Sequence, residues 1–148
     1  MSERNSAEIS ALYQEMILDH YRRPRNKGAL ENPDASVEMK NPLCGDEITL
    51  QVAFDGESVG DLRFSGRGCS ISQASASMMT QLVKGKSKEE IDGIRNQFRD
   101  LMLGDSSLAQ DPRLGSLRAL SGVARFPARV KCALLAWSAL ERAIAERP

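Results

Sequence analysis

The sequence predicts an α+β domain in which helices pack a three-stranded antiparallel sheet. From Ile48 to Phe54, large apolar residues occupy every second position, between Thr49, Gln51 and Ala53, which is the period of a strand with one buried face. On both sides of this stretch, apolar residues recur every three or four positions, the period of an amphipathic helix. A chain of 148 residues without a linker or repeat is expected to form one domain, spanning 1–148.

The charge balance and the lack of long apolar runs argue against nucleic-acid-binding, membrane and secreted proteins. Lys+Arg and Asp+Glu each number 20, a balance that argues against a nucleic-acid partner. No apolar run is long enough to cross a bilayer, and the first ten residues lack the apolar core of a signal peptide. We therefore expect a cytoplasmic protein with no membrane association. In a reducing compartment the 3 cysteines should be free thiols.

The first helix is predicted from an apolar stripe that runs from Ile9 to Tyr21. Ser6 is a candidate N-cap, and Pro24 should end the helix. His20 is the only histidine and lies on the stripe near the helix end. That position is more typical of a partly buried packing histidine than of a ligand or base, and its functional role stays open.

The strands follow a loop over residues 24–35. Val37 and Met39 indicate a first strand, and the alternating stretch from Ile48 to Phe54 gives the second. Asp55-Gly56 is a hairpin signal, after which Leu62 and Phe64 belong to a third strand. The turn that contains Cys44 should therefore lie at one end of the sheet.

The second half of the chain is predicted to be helical. Cys69 follows two glycines and precedes a helical pattern over residues 71–82, which Ser70 or Ser72 could cap. A thiolate at a helix N-terminus is stabilised by free N–H groups and the helix dipole. Ser87–Glu90 is a capping box for a third helix, residues 105–116 look irregular, and Pro127 suits the first turn of the last helix.

The chemistry-bearing residues are the three cysteines and one aspartate. Cys44 and Asp46 flank Gly45, so both side chains can point to one side of an extended segment. With Cys69 and Cys132 they would supply four ligands, enough for a tetrahedral divalent metal. The alternative is three unrelated, mostly buried cysteines, because no two of them form a C-x-x-C pair.

Arg129 is a candidate catalytic residue. The spacing of Arg125, Arg129 and Cys132 predicts that they share one helix face. An arginine one turn before a thiol would lower the pKa of that thiol by favouring its charged form. The alternative is that Arg129 is a solvated surface residue.

Several stretches together resemble the IscU/NifU-type iron–sulfur cluster assembly family. The segment from Leu12 to Asn26 followed by Asn41–Asp46 resembles the start of such proteins. The second and third cysteine motifs are similar to Gly68–Thr80 and Phe126–Cys132 with Leu135-Ala136-Trp137. The similarity is greatest to the SufU branch, because Lys131 stands where scaffold IscU proteins carry a histidine. The 62 residues between Cys69 and Cys132 are also more than IscU has.

This resemblance implies a function as well as a fold. It implies a zinc ion on Cys44, Asp46, Cys69 and Cys132, and a Cys44 thiol that accepts persulfide sulfur from a SufS-type cysteine desulfurase. Downstream iron–sulfur assembly proteins would be further partners. The protein would then be a zinc-dependent sulfurtransferase.

Two other functions compete with the relay. The chain could be a scaffold on which a [2Fe–2S] cluster is built and passed to apo-proteins, which would make it non-enzymatic. Alternatively, zinc could merely stabilise the fold. Lys131 favours the relay over the scaffold, and the Asp46 ligand counts against a purely structural site.

Overall fold

The structure, a computed structural model, describes the backbone of residues 3–147 and the side chains of residues 11–147. It contains four α-helices within that range, α1 (Glu3–Arg22), α2 (Ser70–Val83), α3 (Lys88–Met102) and α4 (Pro127–Ala145). Its strands are β1 (Ala35–Asn41), β2 (Asp46–Asp55) and β3 (Ser58–Arg67). The expected α+β class with a three-stranded antiparallel sheet is confirmed.

The sheet has the strand order β1-β2-β3, and both pairs are antiparallel. Alternation along β2 buries Ile48, Leu50 and Val52 completely, as the sequence pattern predicts. The pairing of β1 with β2 continues to Asn41 opposite Asp46, so a four-residue turn, 42–45, joins the two strands. This register places Cys44 at one end of the sheet.

Helices α2 and α4 pack against each other, and α4 also covers β1 and β2. Trp137 of α4 and Phe98 of α3 contact each other with ring centroids 5.7 Å apart, and both side chains are buried. Two 3₁₀ helices, Ser106–Gln110 and Pro112–Arg125, fill the irregular stretch before α4. Among the described residues, no helix is both long and apolar enough to span a membrane.

Two expected helix starts are wrong. α1 begins at Glu3, so Ser6 lies inside the helix and does not cap it; its side chain is outside the described residues. The helix extends N-terminal to the apolar stripe through a run of mostly polar residues. The N-cap of α2 is Cys69 itself, whose Sγ accepts from the Ser72 N–H at 3.5 Å. A thiol thus takes the role expected of Ser70 or Ser72.

His20 is a packing residue, as its position on the stripe predicts. Its side chain is 5% exposed, and its Nδ1 lies 2.8 Å from the Ser77 hydroxyl of α2. Ser77 Oγ also accepts from the Arg25 N–H at 2.8 Å, which leaves its own proton for the imidazole. Burial, and then the positive charge of Arg25, lower the pKa of His20 below its usual value. These contacts join the end of α1 to α2.

Candidate metal and thiol site

Three of the four expected ligands meet at the end of the sheet. Cys44 Sγ, Cys132 Sγ and a carboxylate oxygen of Asp46 all lie within 4.8 Å of one another. In a tetrahedral zinc site with Zn–S bonds of 2.3 Å, two sulfurs would be about 3.8 Å apart. The three groups are therefore nearly close enough to share one ion without movement of the backbone.

Cys69 lies beside this group of three but is not a member of it. Its backbone N–H donates to Asp46 Oδ1 at 2.9 Å, and its thiol is close enough to Cys132 to raise the pKa of the latter. The role of Cys69 as the fourth ligand stays a prediction.

Asp46 is the most constrained member of the site. It belongs to the inward face of β2, in line with Ile48 and Leu50, and its side chain is fully buried. Oδ1 accepts from the Cys69 N–H and from the Ser72 hydroxyl at 3.2 Å. Oδ2 is buried and has no hydrogen-bond partner among the described residues. A buried carboxylate oxygen without a donor is costly, and a cation beside it would remove that cost.

Asp46 also serves the N-terminus of α2. That helix has no acidic residue in its first turn. Because Asp46 accepts the N–H of Cys69, the N-cap residue, it supplies from β2 the negative charge that a helix N-terminus favours. The backbone packs closely here, since a Cβ on Gly68 would collide with Asp46 Oδ1 and come within 2.7 Å of Ser72 Oγ.

The three thiols differ in exposure. Cys44 is exposed, Cys69 is partly buried and Cys132 is fully buried. Cys44 lies in the turn before Gly45, whose φ of 68° is accessible mainly to glycine. The two other cysteines belong to α2 and α4, where packing holds them. Cys44 is therefore the most accessible of the three cysteines.

The expected effect of Arg129 on Cys132 is wrong for the metal-free protein. The pKa of the Cys132 thiol is raised, first by burial and then by the neighbouring side chains of Asp46, Cys44 and Cys69. Arg125 belongs to the preceding 3₁₀ helix and not to α4, and Arg129 is exposed where Cys132 is buried. Arg125 therefore does not share a face of α4 with the other two residues, and a catalytic role for Arg129 stays a prediction.

Three polar residues around the site were not predicted from the sequence as site residues. Asn41 is buried with its amide nitrogen 3.9 Å from Cys132 Sγ. Ser72 donates to Asp46, and the Gln73 amide donates to the Ser72 oxygen at 3.3 Å. Of the three, only Asn41 could have been found from the sequence, because it begins the Asn41–Asp46 stretch that contains two candidate ligands. The register of β1 and β2 places it opposite Asp46.

The fit of a divalent metal can be judged from these groups. The two clustered sulfurs and the Asp46 carboxylate are donors that zinc accepts, and Asp46 Oδ2 is buried without a hydrogen-bond partner among the described residues. As anions, these acidic groups would repel one another, and a divalent cation would balance their charge. The residues therefore fit a zinc ion.

Comparisons with known proteins show the family to which the chain belongs. The family model described as NifU-like N terminal domain matches residues 12–147. The chain is 49% identical over 144 residues to the zinc-dependent sulfurtransferase SufU of Bacillus subtilis (strain 168), covering 95% of each chain. It is 45% identical over 138 residues to the iron–sulfur cluster assembly scaffold protein IscU of Streptococcus pyogenes serotype M1, covering 93% of this chain and 86% of that one.

A solved structure of a related protein has the same fold as this chain. The crystal structure of a protein described as a candidate iron–sulfur cluster assembly scaffold for the SUF system, from Fervidobacterium islandicum AW-1, superimposes with a TM-score of 0.80. It is 38% identical in sequence, and the match covers 88% of this chain and 94% of that one. The names of these relatives thus include both a sulfurtransferase and scaffolds.

Proposed function

The chain belongs to the family of NifU-like N-terminal domains, a family of iron–sulfur cluster assembly proteins, and on that premise we propose that it is a zinc-dependent sulfurtransferase. The observation that carries the proposal is the unequal exposure of clustered donors. Asp46 and Cys132 are buried, whereas Cys44 is exposed beside them. One thiol can leave such a cluster to react while the remaining donors keep their places.

Each donor has its own task in this proposal. Asp46, Cys69 and Cys132 would hold zinc throughout, and Cys44 would complete the site at rest. Bound zinc would keep the Cys44 sulfur deprotonated at neutral pH. The turn at Gly45 lets Cys44 move without disturbing the core, because the residues on both sides of the turn are anchored as the strand pair Asn41–Asp46.

The proposed reaction is persulfide transfer from a SufS-type cysteine desulfurase. The Cys44 thiolate attacks the outer sulfur of the persulfide on the desulfurase cysteine. A new sulfur–sulfur bond forms on Cys44, the old one breaks, and the desulfurase cysteine leaves as a thiolate. The step is an exchange between thiolates and needs no external oxidant or reductant.

Arg129 is proposed to assist Cys44 and not Cys132. It is exposed and follows Ala128, whose carbonyl oxygen lies 4.0 Å from Cys44 Sγ. A guanidinium near this position would favour the anionic forms that appear on Cys44 during transfer. The acceptor after Cys44 would be a downstream iron–sulfur assembly protein.

The second candidate function is a scaffold for a [2Fe–2S] cluster. It is favoured by the IscU names among the relatives, and three thiolates with a carboxylate are also a ligand set for iron. Against it stands Lys131, which is exposed and offers no imidazole beside Cys132.

One experiment separates the two functions. Protein purified without oxygen is analysed for zinc, iron and acid-labile sulfide, and the same sample is added to a SufS-type desulfurase with cysteine. A sulfurtransferase contains zinc and increases alanine formation by the desulfurase. Protein that contains iron and sulfide and leaves the desulfurase rate unchanged would be a scaffold.

A further inference from the structure

We propose that Ser72 and Gln73 position Asp46, so that only Oδ2 of its carboxylate is presented to the metal. The inference rests on the proposed zinc site and adds two residues to it. Gln73 does not touch Asp46 and would act through Ser72. Both residues belong to the first turns of α2, 26 and 27 positions along the chain from Asp46.

The two carboxylate oxygens of Asp46 have different surroundings. Oδ1 already accepts two hydrogen bonds from the protein, from the Cys69 N–H at 2.9 Å and from Ser72 Oγ at 3.2 Å. Oδ2 is buried and has none among the described residues. The carboxylate is thus fixed by one oxygen and leaves the other free for a cation, which favours one-oxygen over two-oxygen coordination.

The Ser72 hydroxyl can donate to only one acceptor at a time. The hydroxyl has one proton and two acceptors within reach, Asp46 Oδ1 at 3.2 Å and the Cys69 carbonyl oxygen at 3.1 Å. Gln73 Nε2 lies 3.3 Å from the Ser72 oxygen and donates to it. This bond occupies a lone pair of the hydroxyl and orients its proton away from the amide. An ionised carboxylate is a stronger hydrogen-bond acceptor than a carbonyl group, so the Ser72 hydroxyl donates to Asp46.

Burying the Gln73 amide costs stability, because one of its polar atoms has no partner within the described part of the chain. Its side chain is 5% exposed, and its Oε1 is buried without a hydrogen-bond partner among the described residues. A leucine would fill such a place without that penalty. The hydrogen bond from Gln73 Nε2 to the Ser72 oxygen explains why an amide occupies this buried position.

The competing interpretation is that these bonds only cap α2. Ser72 is the third residue of the helix, and its N–H donates to the cap sulfur of Cys69. In that case its hydroxyl would contribute to stability but not to the metal. The two interpretations differ in metal affinity and in the geometry at the metal, and not in the cost of unfolding.

The test uses the full chain with zinc or cobalt(II) alone, without a desulfurase. We expect Ser72→Ala to weaken zinc binding about tenfold in a chelator competition, the lower end of the range for groups that orient a metal ligand. The visible d–d bands of the cobalt(II) protein should shift because Asp46 can then turn. Ser72→Thr, which keeps the hydroxyl, should restore both readouts.

A double-mutant cycle tests the chain of contacts. Gln73→Leu should weaken zinc binding by a few-fold, and the variant carrying both changes should bind as Ser72→Ala does, because Gln73 acts only through the hydroxyl. Ser77→Ala is the matched control, since Ser77 is a buried serine of the same helix that bonds to His20. It should lose stability and keep both metal readouts.

Two results would overturn the positioning role. One is wild-type zinc affinity and an unchanged cobalt(II) spectrum in Ser72→Ala. The other is an additive effect of Gln73→Leu in the double variant. If either occurs while the wild-type protein binds zinc and accepts sulfur, only the positioning role fails. If the wild-type protein does not bind zinc, the proposed function fails as well.

Discussion

Asp46 lies on a face of β2 that otherwise buries apolar side chains. Strict alternation puts it in line with Ile48, Leu50 and Val52, and it is as deeply buried as they are. A carboxylate in such a place must be compensated by donors or by a cation. One of its oxygens has protein donors and the other does not, so a single residue links the end of the sheet, the start of α2 and the candidate metal.

Gly68 provides the first prediction at the scale of the residue. A methyl group there would collide with Asp46 Oδ1 and crowd the Ser72 hydroxyl. We expect Gly68→Ala to displace the carboxylate, to weaken zinc binding about tenfold or more and to destabilise the fold by about 1–3 kcal/mol. Chelator competition and urea unfolding measure the two effects.

Gly93→Ala is the control for this substitution. Gly93 lies in α3, and a Cβ there would meet nothing within 4 Å. Alanine also suits a helix interior better than glycine does. The control should leave zinc affinity unchanged. Equal zinc affinity in Gly68→Ala and Gly93→Ala would show that the close packing at Asp46 is not needed by the metal site.

His20 gives a prediction about pH. Its lowered pKa means that the folded protein favours the neutral imidazole, which accepts a hydrogen bond from the Ser77 hydroxyl at Nδ1. The stability that this contact contributes is complete above the unfolded pKa of about 6.5 and is lost as the pH falls through the lower folded value. His20→Asn keeps an acceptor but cannot take up a proton in this range.

The measurement is the urea midpoint of metal-free protein at pH 7.5 and pH 5.5. The wild-type chain should lose more stability between these two values than His20→Asn does. An equal loss in the two proteins would mean that His20 does not contribute to the pH dependence.

At the scale of the element, α3 shows how local signals can suffice. Its capping box is formed as the sequence predicts, with Glu90 N–H donating to Ser87 Oγ at 3.2 Å and Ser87 N–H donating to Glu90 Oε1 at 3.2 Å. We expect Ser87→Ala to lower the free energy of unfolding by about 1 kcal/mol. Zinc affinity should stay at the wild-type value, because α3 contributes no donor to the site.

Chemical denaturation and chelator competition check this prediction together. Ser87→Thr serves as the control, since its hydroxyl can accept the same N–H. A loss of zinc affinity in Ser87→Ala would contradict the separation of α3 from the metal site.

Elements whose signals are local could be predicted from the sequence, and those that depend on distant partners could not. The alternation of β2, the Asp55-Gly56 hairpin and the start of α4 at Pro127 all follow from neighbouring residues. The cap of α2 could not be predicted. Cys69, and not one of the two nearby serines, is the N-cap because its backbone N–H donates a hydrogen bond to Asp46, 23 positions away.

The same limit applies to the candidate site. Three cysteines and one aspartate could be identified by their donor chemistry, and the structure brings three of them within 4.8 Å. The expected effect of Arg129 on Cys132 failed because Cys132 is buried, which raises the pKa of its thiol. The spacing failed only for Arg125, which lies in the 3₁₀ helix that ends before α4. Ser72 and Gln73 act on a residue of another element, so no local pattern marks them.

At the scale of the whole molecule, the candidate ligands join separate parts of the fold. Cys44 lies in the turn between β1 and β2, Asp46 begins β2, and Cys132 belongs to α4. Binding one ion to all of them stabilises the folded chain over the unfolded one. At a free zinc concentration a thousandfold above the dissociation constant, the free energy of unfolding would increase by about 4 kcal/mol.

We therefore expect zinc to raise the melting temperature and a chelator to lower it. Asp46→Ala should bind less than the roughly one zinc per chain expected of a four-ligand site, and its melting temperature should respond much less to zinc. Asp46→Asn is a milder variant, because its carbonyl oxygen can still coordinate. If Asp46→Ala keeps full occupancy and the full zinc-induced shift, Asp46 is not a ligand.

The central claim is that Cys44 accepts sulfur while the buried donors remain in place. The most direct measurement is the intact mass of the protein after incubation with a SufS-type desulfurase and cysteine, followed by peptide mapping. The wild-type chain should gain the mass of one sulfur atom, located on Cys44, and folded Cys44→Ser should gain none. A persulfide at normal yield on Cys69 or Cys132 in that variant would contradict the claim.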